Sequence, residues 1–168
     1  MTSYLLSWLR SKFGASDLET FERLHPYDWL LWEAGPWHPP ERTGLTLLAA
    51  GPGAPPKGTG ESLAIALRAN PRRPHITIGR GQENDVVVDD ATLSRVHLVL
   101  MRLESGGWSV RDAGSSNGTR LNGRALEVGT PAPLPSGARL EAGSVHLTFL
   151  SSADFLQRLK GPLGQLPA

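Results

Sequence analysis

The stretch that decides the fold runs from Leu93 to Thr119 and has the sequence LSRVHLVLMRLESGGWSVRDAGSSNGT. It contains two short runs of β-type residues, His97–Leu103 and Trp108–Asp112, which are separated and followed by glycine and serine. Short runs of this kind, broken by turn residues, are typical of a β-sandwich or a β-barrel. The stretch therefore predicts a mainly β domain.

The same pattern continues on both sides of this stretch. Asn117-Gly118 and Asn122-Gly123 are strong turn signals, because asparagine and glycine tolerate the positive φ angles of tight hairpins. Seven further runs are predicted strands: Leu45–Ala50, Leu63–Leu67, His75–Ile78, Val86–Val88, Arg120–Leu121, Arg139–Glu141 and Val145–Leu150. Between the first two of these runs, residues 51–60 are rich in proline and glycine and predict a surface loop.

The N-terminal part of the chain has an aromatic-rich composition, with four of the five tryptophans before residue 38. Apolar residues spaced by three and four positions predict two short helices within residues 1–25. Ser16 and Glu19 form a predicted capping box for the second helix, and Pro26 is expected to end it. Trp29–Pro40 is expected to be irregular.

Apolar residues on one face of residues 152–160 predict a short C-terminal helix. The changes in composition therefore divide the chain into three parts. These are an aromatic-rich, helical and irregular N-terminal extension of residues 1–43, a β-sandwich domain of residues 44–151 and a short helical tail of residues 152–168.

Composition and charge exclude several classes of protein. The 168 residues include 17 basic and 16 acidic ones, and the net charge of +1 gives no general attraction for nucleic acid or an anionic membrane. The chain has no cysteine, so disulfides and thiolate sites are excluded, which suits a reducing cytoplasm. The five histidines show no metal-ligand spacing, and no apolar stretch approaches the ~20 residues that cross a membrane. We therefore expect a cytoplasmic protein without a metal or an integral membrane segment.

A residue with phosphate-binding chemistry follows one of the predicted strands. Arg80 comes directly after the strand, at the point where Gly79 lets the backbone turn. Its guanidinium group is a planar fork of donors that suits a doubly charged phosphate. The alternative is a surface ion pair between Arg80 and Glu83 or Asp85.

Other turn residues add to this chemistry. Ser94 supplies a hydroxyl group, Arg95 a second positive charge, and Asn117 an amide that donates and accepts. Together with Arg80 they suit recognition of a phosphorylated side chain and its adjoining backbone. In their order along the chain, four motifs resemble those of the forkhead-associated (FHA) domain family: Gly79-Arg80, Ser94-Arg95-x-His97, Ser115-Ser116-Asn117-Gly118-Thr119 and Asn122-Gly123.

This resemblance covers residues 75–150 directly, and residues 44–67 fit the first two strands of the family's fold. It implies a forkhead-associated-type, eleven-stranded β-sandwich, to which the predicted short N-terminal helices and the short C-terminal helix are added. In this family, loops at one edge of the sandwich bind phosphothreonine in an extended segment of a partner.

The resemblance also implies a role for each residue of the motifs. Arg80 and Ser94 would contact the phosphate, Arg95 would add to this contact, and Ser116 and Asn117 would hold the peptide backbone. Four residues would support the site structurally: Gly79, His97, Gly118 and Asn122. None of these residues would be catalytic, and no cofactor is implied. A hydrolase built on the serine and histidine of the second motif would need an oxyanion loop, which the sequence lacks.

Two functions stay open at this point. The first is a phosphothreonine-dependent binding module that recruits a threonine-phosphorylated protein in Ser/Thr kinase signalling, the partner being a kinase or its substrate. The second is a phosphate-independent scaffold that uses the FHA fold and the Trp-rich residues 1–43 as contact surfaces. The tryptophans of this segment could pack against the sandwich, contact a second protein partner or face a membrane surface. Neither function involves nucleic acid or enzymatic activity.

Overall fold

The computed structural model describes residues 3–38, 61–68 and 72–161. The elements within them are, in chain order, β1 (Ser3–Leu5), α1 (Leu6–Phe13), α2 (Leu18–Leu24), β2 (Asp28–Trp32), β3 (Leu63–Leu67), β4 (His75–Gly79), β5 (Val86–Val87), β6 (Leu98–Arg102), β7 (Trp108–Asp112), β8 (Thr119–Leu121), β9 (Arg124–Ala125), β10 (Ala132–Pro133), β11 (Arg139–Ala142), β12 (Val145–Leu150) and α3 (Ser152–Lys160). The predicted mainly β fold with short helices before and after the sandwich is confirmed. The described residues hold twelve strands, whereas the family resemblance implies eleven.

The strands form two sheets that enclose the main core. The seven-stranded sheet has the order β1-β3-β2-β12-β11-β8-β9, and the five-stranded sheet has the order β10-β7-β6-β4-β5. Neighbouring strands are antiparallel, except that β4 and β5 are parallel. Buried side chains of both sheets fill the space between them, among them Leu30, Ile65, Ile78, Leu100 and Phe149. This packing fixes the strand ends from which the loops project.

The strands β2 and β3 lie inside the seven-stranded sheet and are buried on both faces. Successive side chains of a strand point to opposite faces. Accordingly, Leu63, Ile65 and Leu67 of β3 belong to the main core, whereas Ala64 and Ala66 belong to a second core on the other face of the sheet. The small alanine side chains leave room for helices to approach this face.

The second core lies between the seven-stranded sheet and the three helices. It contains Leu9 of α1, Phe21 of α2 and Phe155 of α3, together with Trp29 of β2. The rings of Trp29 and Phe155 are stacked, with their centroids 4.3 Å apart. The N-terminal and C-terminal helices therefore cover the same face of the sheet and share one core with it.

Two expectations about the N-terminal part are wrong. Residues 28–32 are not irregular, because they form β2, which pairs with β3 and β12. The sequence does not indicate this strand, because both of its faces are buried and polar and apolar residues therefore do not alternate along it. The second helix is capped by Asp17 and not by Ser16, because the Asp17 carboxylate accepts a hydrogen bond from the Thr20 amide at 2.8 Å.

Strands from both sides of the predicted boundary at residue 44 pair in one sheet, since β1 and β2 precede this boundary and β3 follows it. The predicted strand Leu45–Ala50 and the predicted loop 51–60 lie outside the described residues. Trp29 and Trp32 are buried, whereas Trp8 is 46% exposed and stacks on Tyr4. Packing against the sandwich is therefore the correct interpretation for Trp29 and Trp32.

Candidate functional site

The sheet topology brings three loops together at one end of the five-stranded sheet. The end of β4 lies beside the start of β6, because Ile78 pairs with Leu98 in an antiparallel register. The end of β7 lies there too, because Leu98 pairs with Asp112. The loop after β4, the loop before β6 and the loop after β7 therefore converge, and these loops carry the first three sequence motifs.

The loop after β4 is bound along the backbone of the loop before β6. The Arg80 amide donates to the Ser94 carbonyl, and the Gly81 amide donates to the Arg95 carbonyl, both at 3.0 Å. A Cβ atom on Gly79 would collide with the Arg95 carbonyl and would lie 2.8 Å from the Ser94 carbonyl oxygen. Glycine at position 79 is therefore needed for the close approach of the two loops.

The side chain of Arg80 is exposed at this junction. The alternative of an ion pair with Glu83 or Asp85 is not observed, because Glu83 pairs with Arg95 at 3.2 Å and Asp85 pairs with Arg73 at 3.3 Å. Within the described parts of the chain, the Arg80 guanidinium makes no ion pair or hydrogen bond. It is consequently available to an anion from solution.

Ser94 connects two of the loops. Its hydroxyl oxygen accepts a hydrogen bond from the Ser116 amide at 2.9 Å and lies 3.5 Å from the Ser116 hydroxyl oxygen. The second distance is long for a hydroxyl pair, so the hydroxyl proton of Ser94 is free to donate elsewhere.

His97 is fully buried beneath the same loops. Its Nδ1 atom accepts a hydrogen bond from the Ser94 amide, and its Nε2 atom lies 3.1 Å from the carbonyl oxygen of Gly118. These partners require a neutral ring with its proton on Nε2. Burial lowers the pKa of His97, although the Gly118 carbonyl and the charge of Asp112 act in the opposite direction. The ring thus joins the loop before β6 to the loop after β7.

Asn117 and Gly118 lie in the loop between β7 and β8, which belong to different sheets. This dipeptide is therefore not a hairpin turn, although Gly118 does have a positive φ of 75°. The side-chain amide of Asn117 donates to the Thr92 carbonyl at 2.8 Å. Its carbonyl oxygen accepts no hydrogen bond from any residue that the structure describes.

The fourth motif lies away from this junction. Asn122 and Gly123, with φ angles of 50° and 80°, form the hairpin turn between β8 and β9. The Asn122 side chain accepts a hydrogen bond from the Arg139 amide at 2.9 Å, which attaches the turn to β11. The structure places Asn122 at the opposite end of β8 from Gly118, so it does not bring Asn122 to the loops around Arg80.

Residues 76–143 match the family model of the FHA domain. The chain contains an FHA domain. All of the motif residues named above lie within the matched range.

Two curated relatives match the FHA domain of this chain. The oxoglutarate dehydrogenase inhibitor of Corynebacterium diphtheriae is 38% identical over 78 residues, which are 46% of this chain and 52% of that protein. The glycogen accumulation regulator GarA of Mycolicibacterium smegmatis is 37% identical over 79 residues, which are 47% of this chain and 48% of that protein. The chain thus spans about half the length of the curated relatives that it matches.

Solved FHA domains share the fold of this chain. The FHA domain of a hypothetical protein from Arabidopsis thaliana has a TM-score of 0.51 and 24% sequence identity, and the match covers 74% of this chain and 86% of that domain. The FHA domain of the CT664 protein from Chlamydia trachomatis has a TM-score of 0.50 and 18% identity, covering 74% and 97%.

Asp112 is a residue of the FHA domain that sequence reasoning missed. It is buried at the end of β7, and its carboxylate accepts hydrogen bonds from the Gly114 and Ser115 amides and from the Ser115 and Thr119 hydroxyls, at 2.5–2.8 Å. Burial alone would raise the pKa of Asp112, but these donors outweigh it and lower the pKa below its usual value. Asp112 therefore shapes the loop that carries Ser116 and Asn117. An aspartate followed two residues later by Gly-Ser was the signal for such a turn.

Two serine–histidine pairs of the structure lack the geometry of a hydrolase. Ser94 contacts His97 through its backbone amide and not through its hydroxyl. Ser144, His38 and Asp90 also lie together, but the serine hydroxyl at 3.1 Å and the carboxylate at 3.8 Å approach the same ring atom, Nδ1. A catalytic triad needs both ring nitrogens.

The described residues contain no group of three histidine, aspartate or glutamate side chains that could bind a metal ion. None of their helices has the length and hydropathy of a membrane span.

Proposed function

We propose that the FHA domain of this chain binds a phosphothreonine-containing segment of a partner protein and thereby recruits that partner. The observation that carries the proposal is the exposed Arg80 guanidinium, which has no ion-pair partner among the described residues and lies at the junction of the three loops. The domain works as a binding module without catalysis, in cytoplasmic signalling by a Ser/Thr kinase. The names of the two relatives, an inhibitor and a regulator, support a regulatory role of this kind.

The phosphate group is the part of the partner that Arg80 and Ser94 bind. A phosphorylated side chain carries about −1.5 to −2 charges at pH 7 and three strong acceptor oxygens. Arg80 offers a charged fork of donors. The Ser94 hydroxyl offers a proton whose contact within the domain, with the Ser116 hydroxyl oxygen, is long at 3.5 Å. Arg95 lies on the same loop as Ser94 and provides a second positive charge.

The neighbouring backbone of the partner is held by Ser116 and Asn117. Both side chains are exposed, and the contacts with Ser94 and Thr92 fix their loop in position. With its amide nitrogen engaged by Thr92, Asn117 presents its carbonyl oxygen to a backbone N–H of the peptide.

The test compares Arg80→Ala with the wild-type protein in binding an immobilised library of phosphothreonine-centred peptides. Arg23→Ala is the matched control, because Arg23 is an exposed arginine on α2 at the helical side of the larger sheet. We expect binding to be lost in Arg80→Ala and unchanged in Arg23→Ala, with equal thermal stability of all three proteins. Undiminished binding by Arg80→Ala would refute the proposal.

The alternative of a phosphate-independent scaffold needs the Trp-rich segment as a contact surface. Trp29 and Trp32 are buried in the two cores, and Trp37 packs against the main core and donates to the Asp89 carbonyl. Trp8 of α1 is therefore the exposed tryptophan that this surface retains among the described residues. Phosphatase treatment of a captured partner separates the two functions. The complex dissociates if the phosphate is recognised and persists if the domain is a scaffold.

A further inference from the structure

Glu83 occupies a special position beside the proposed phosphate site. It lies in the loop between β4 and β5, and its carboxylate is folded back over the backbone of Gly81. A Cβ atom on Gly81 would be 2.6 Å from the carboxyl carbon of Glu83, so this position of the carboxylate depends on glycine. From there, Oε1 of Glu83 reaches Nη2 of Arg95 at 3.2 Å.

The ion pair between Glu83 and Arg95 is exposed and therefore easily replaced. The side chain of Arg95 is 77% exposed and that of Glu83 is 48% exposed. Exposed ion pairs are held weakly, because water and salt screen both charges. A doubly charged phosphate can compete with one carboxylate for the same guanidinium group.

Two other residues of this loop, Asn84 and Asp85, are held elsewhere. Asp85 accepts hydrogen bonds from Thr77 and pairs with Arg73. Asn84 is buried and binds the carbonyl groups of Gly81 and Arg95. Glu83 is thus the carboxylate of this loop that neutralises a cation of the proposed site.

The charges of the site do not balance those of a phosphate while Glu83 stays in place. Arg80 and Arg95 contribute two positive charges, and Glu83 removes one of them. A phosphothreonine dianion is matched when Arg95 is released from Glu83. The carboxylate then loses its partner and lies close to an anion, which is unfavourable unless a new cation pairs with it.

We propose that Glu83 is an internal competitor for the phosphate, and that the site for this reason selects phosphothreonine segments carrying a lysine or arginine that pairs with Glu83. On binding, Arg95 exchanges Glu83 for the phosphate, and Glu83 exchanges Arg95 for the partner's basic residue. This inference rests on the proposed function, since it assigns a charge preference to the same site.

The test measures the charge preference of four proteins with a library in which phosphothreonine is fixed and the flanking positions vary. The proteins are the wild type, Glu83→Gln, Glu83→Lys and, as a control, Glu104→Gln. Glu104 is exposed and lies between β6 and β7, at the opposite end of the smaller sheet from the site. We expect the wild type and Glu104→Gln to enrich a basic residue at one flanking position. The preference should disappear in Glu83→Gln and turn towards acidic residues in Glu83→Lys.

Binding constants of two synthetic peptides make the expectation quantitative. The peptides are identical except for lysine or glutamate at the enriched position. Glu83→Gln should bind the glutamate peptide about threefold to fivefold more tightly than the wild type does, which is the range expected for one exposed charge pair. An unchanged ratio between the two peptides would overturn the inference.

Gly81→Ala tests the position of the carboxylate without changing the charge of the protein. Alanine is compatible with the backbone at this residue, because the φ angle of Gly81 lies outside the left-handed region. Its Cβ atom displaces the flexible end of Glu83. We expect the preference for basic residues to weaken, though less than in Glu83→Gln, and an intact preference would contradict the inference.

The two proposals fail in different ways. If the wild-type protein binds no phosphothreonine peptide, the proposed function itself is wrong. If it binds them through Arg80 but shows the same charge preference with and without Glu83, the inference alone is wrong.

Discussion

Replacing Asp112 by alanine removes the acceptor of four hydrogen bonds from the loop after β7. A hydrogen bond to a charged group contributes about 1.5–3 kcal/mol to stability. The donors on Gly114 and Ser115 are near the surface and can bind water instead, whereas Thr119 is buried, with only 2% of the residue exposed. One bond is therefore lost in full and the others in part, and we expect the free energy of unfolding to fall by about 3 kcal/mol. Asp112→Asn keeps the size and two acceptor sites, and should cost about half as much.

The assay is urea unfolding followed by tryptophan fluorescence, since the buried Trp108 begins the strand that Asp112 ends. Thr119→Val serves as the partner in a double-mutant cycle, because it removes the donor that cannot be rehydrated. The combined variant should be less unstable than the sum of the two single variants. A loss below about 1 kcal/mol in Asp112→Ala, or strict additivity with Thr119→Val, would refute the assigned role of Asp112.

Two further outcomes follow from the packing of the site. Gly79→Ala places a Cβ against the backbone of Arg95 and Ser94, so the hydrogen bonds of the Arg80 and Gly81 amides must lengthen. Phosphothreonine peptides should bind at least about tenfold more weakly to this variant, whereas Gly107→Ala, in the β6–β7 loop, should bind them normally. Stability should also fall as the pH drops below about 6.5, because His97 has a lowered pKa and the unfolded chain binds a proton that the folded chain does not. Burial also lowers the pKa of His25. Urea midpoints at pH 7 and pH 5 should therefore show that His97→Asn loses less stability than the wild type on acidification, but still loses some. An equal loss in His97→Asn and the wild type would be contrary to this expectation.

The sequence predicted those features that depend on neighbours in the chain. Strands β6 and β7 could be predicted because their turn residues are local, and the hairpin at Asn122-Gly123 could be predicted because both residues tolerate positive φ. The site motifs were recognisable because each lies where a strand meets a loop. Asn117-Gly118 connects the two sheets because β8 pairs with β11. The residues near Asn117 in the chain do not specify this pairing.

Features that depend on distant contacts could not be predicted. Strand β2 pairs with β12, more than a hundred residues away, and its sequence Asp-Trp-Leu-Leu-Trp shows no alternation because a core lies on each face. The four hydrogen bonds of Asp112 and the contact of Glu83 with Arg95 also depend on how the loops meet. Propensity and spacing carry no information about such contacts.

Strands β2 and β3 lie between the two cores, and this position limits which fragments of the chain can fold. A fragment limited to the family match at residues 76–143 would lack β1, β2, β3 and β12, and with them the middle of the seven-stranded sheet. The three loops around Arg80 would remain in such a fragment, but the apolar side chains of Ile78 and Leu100 would lose the surface against which they pack. We therefore expect the helices and the loops at the far side of the molecule to unfold in one cooperative transition, and a fragment that folds to need β1, β2, β3 and β12 as well as the matched residues.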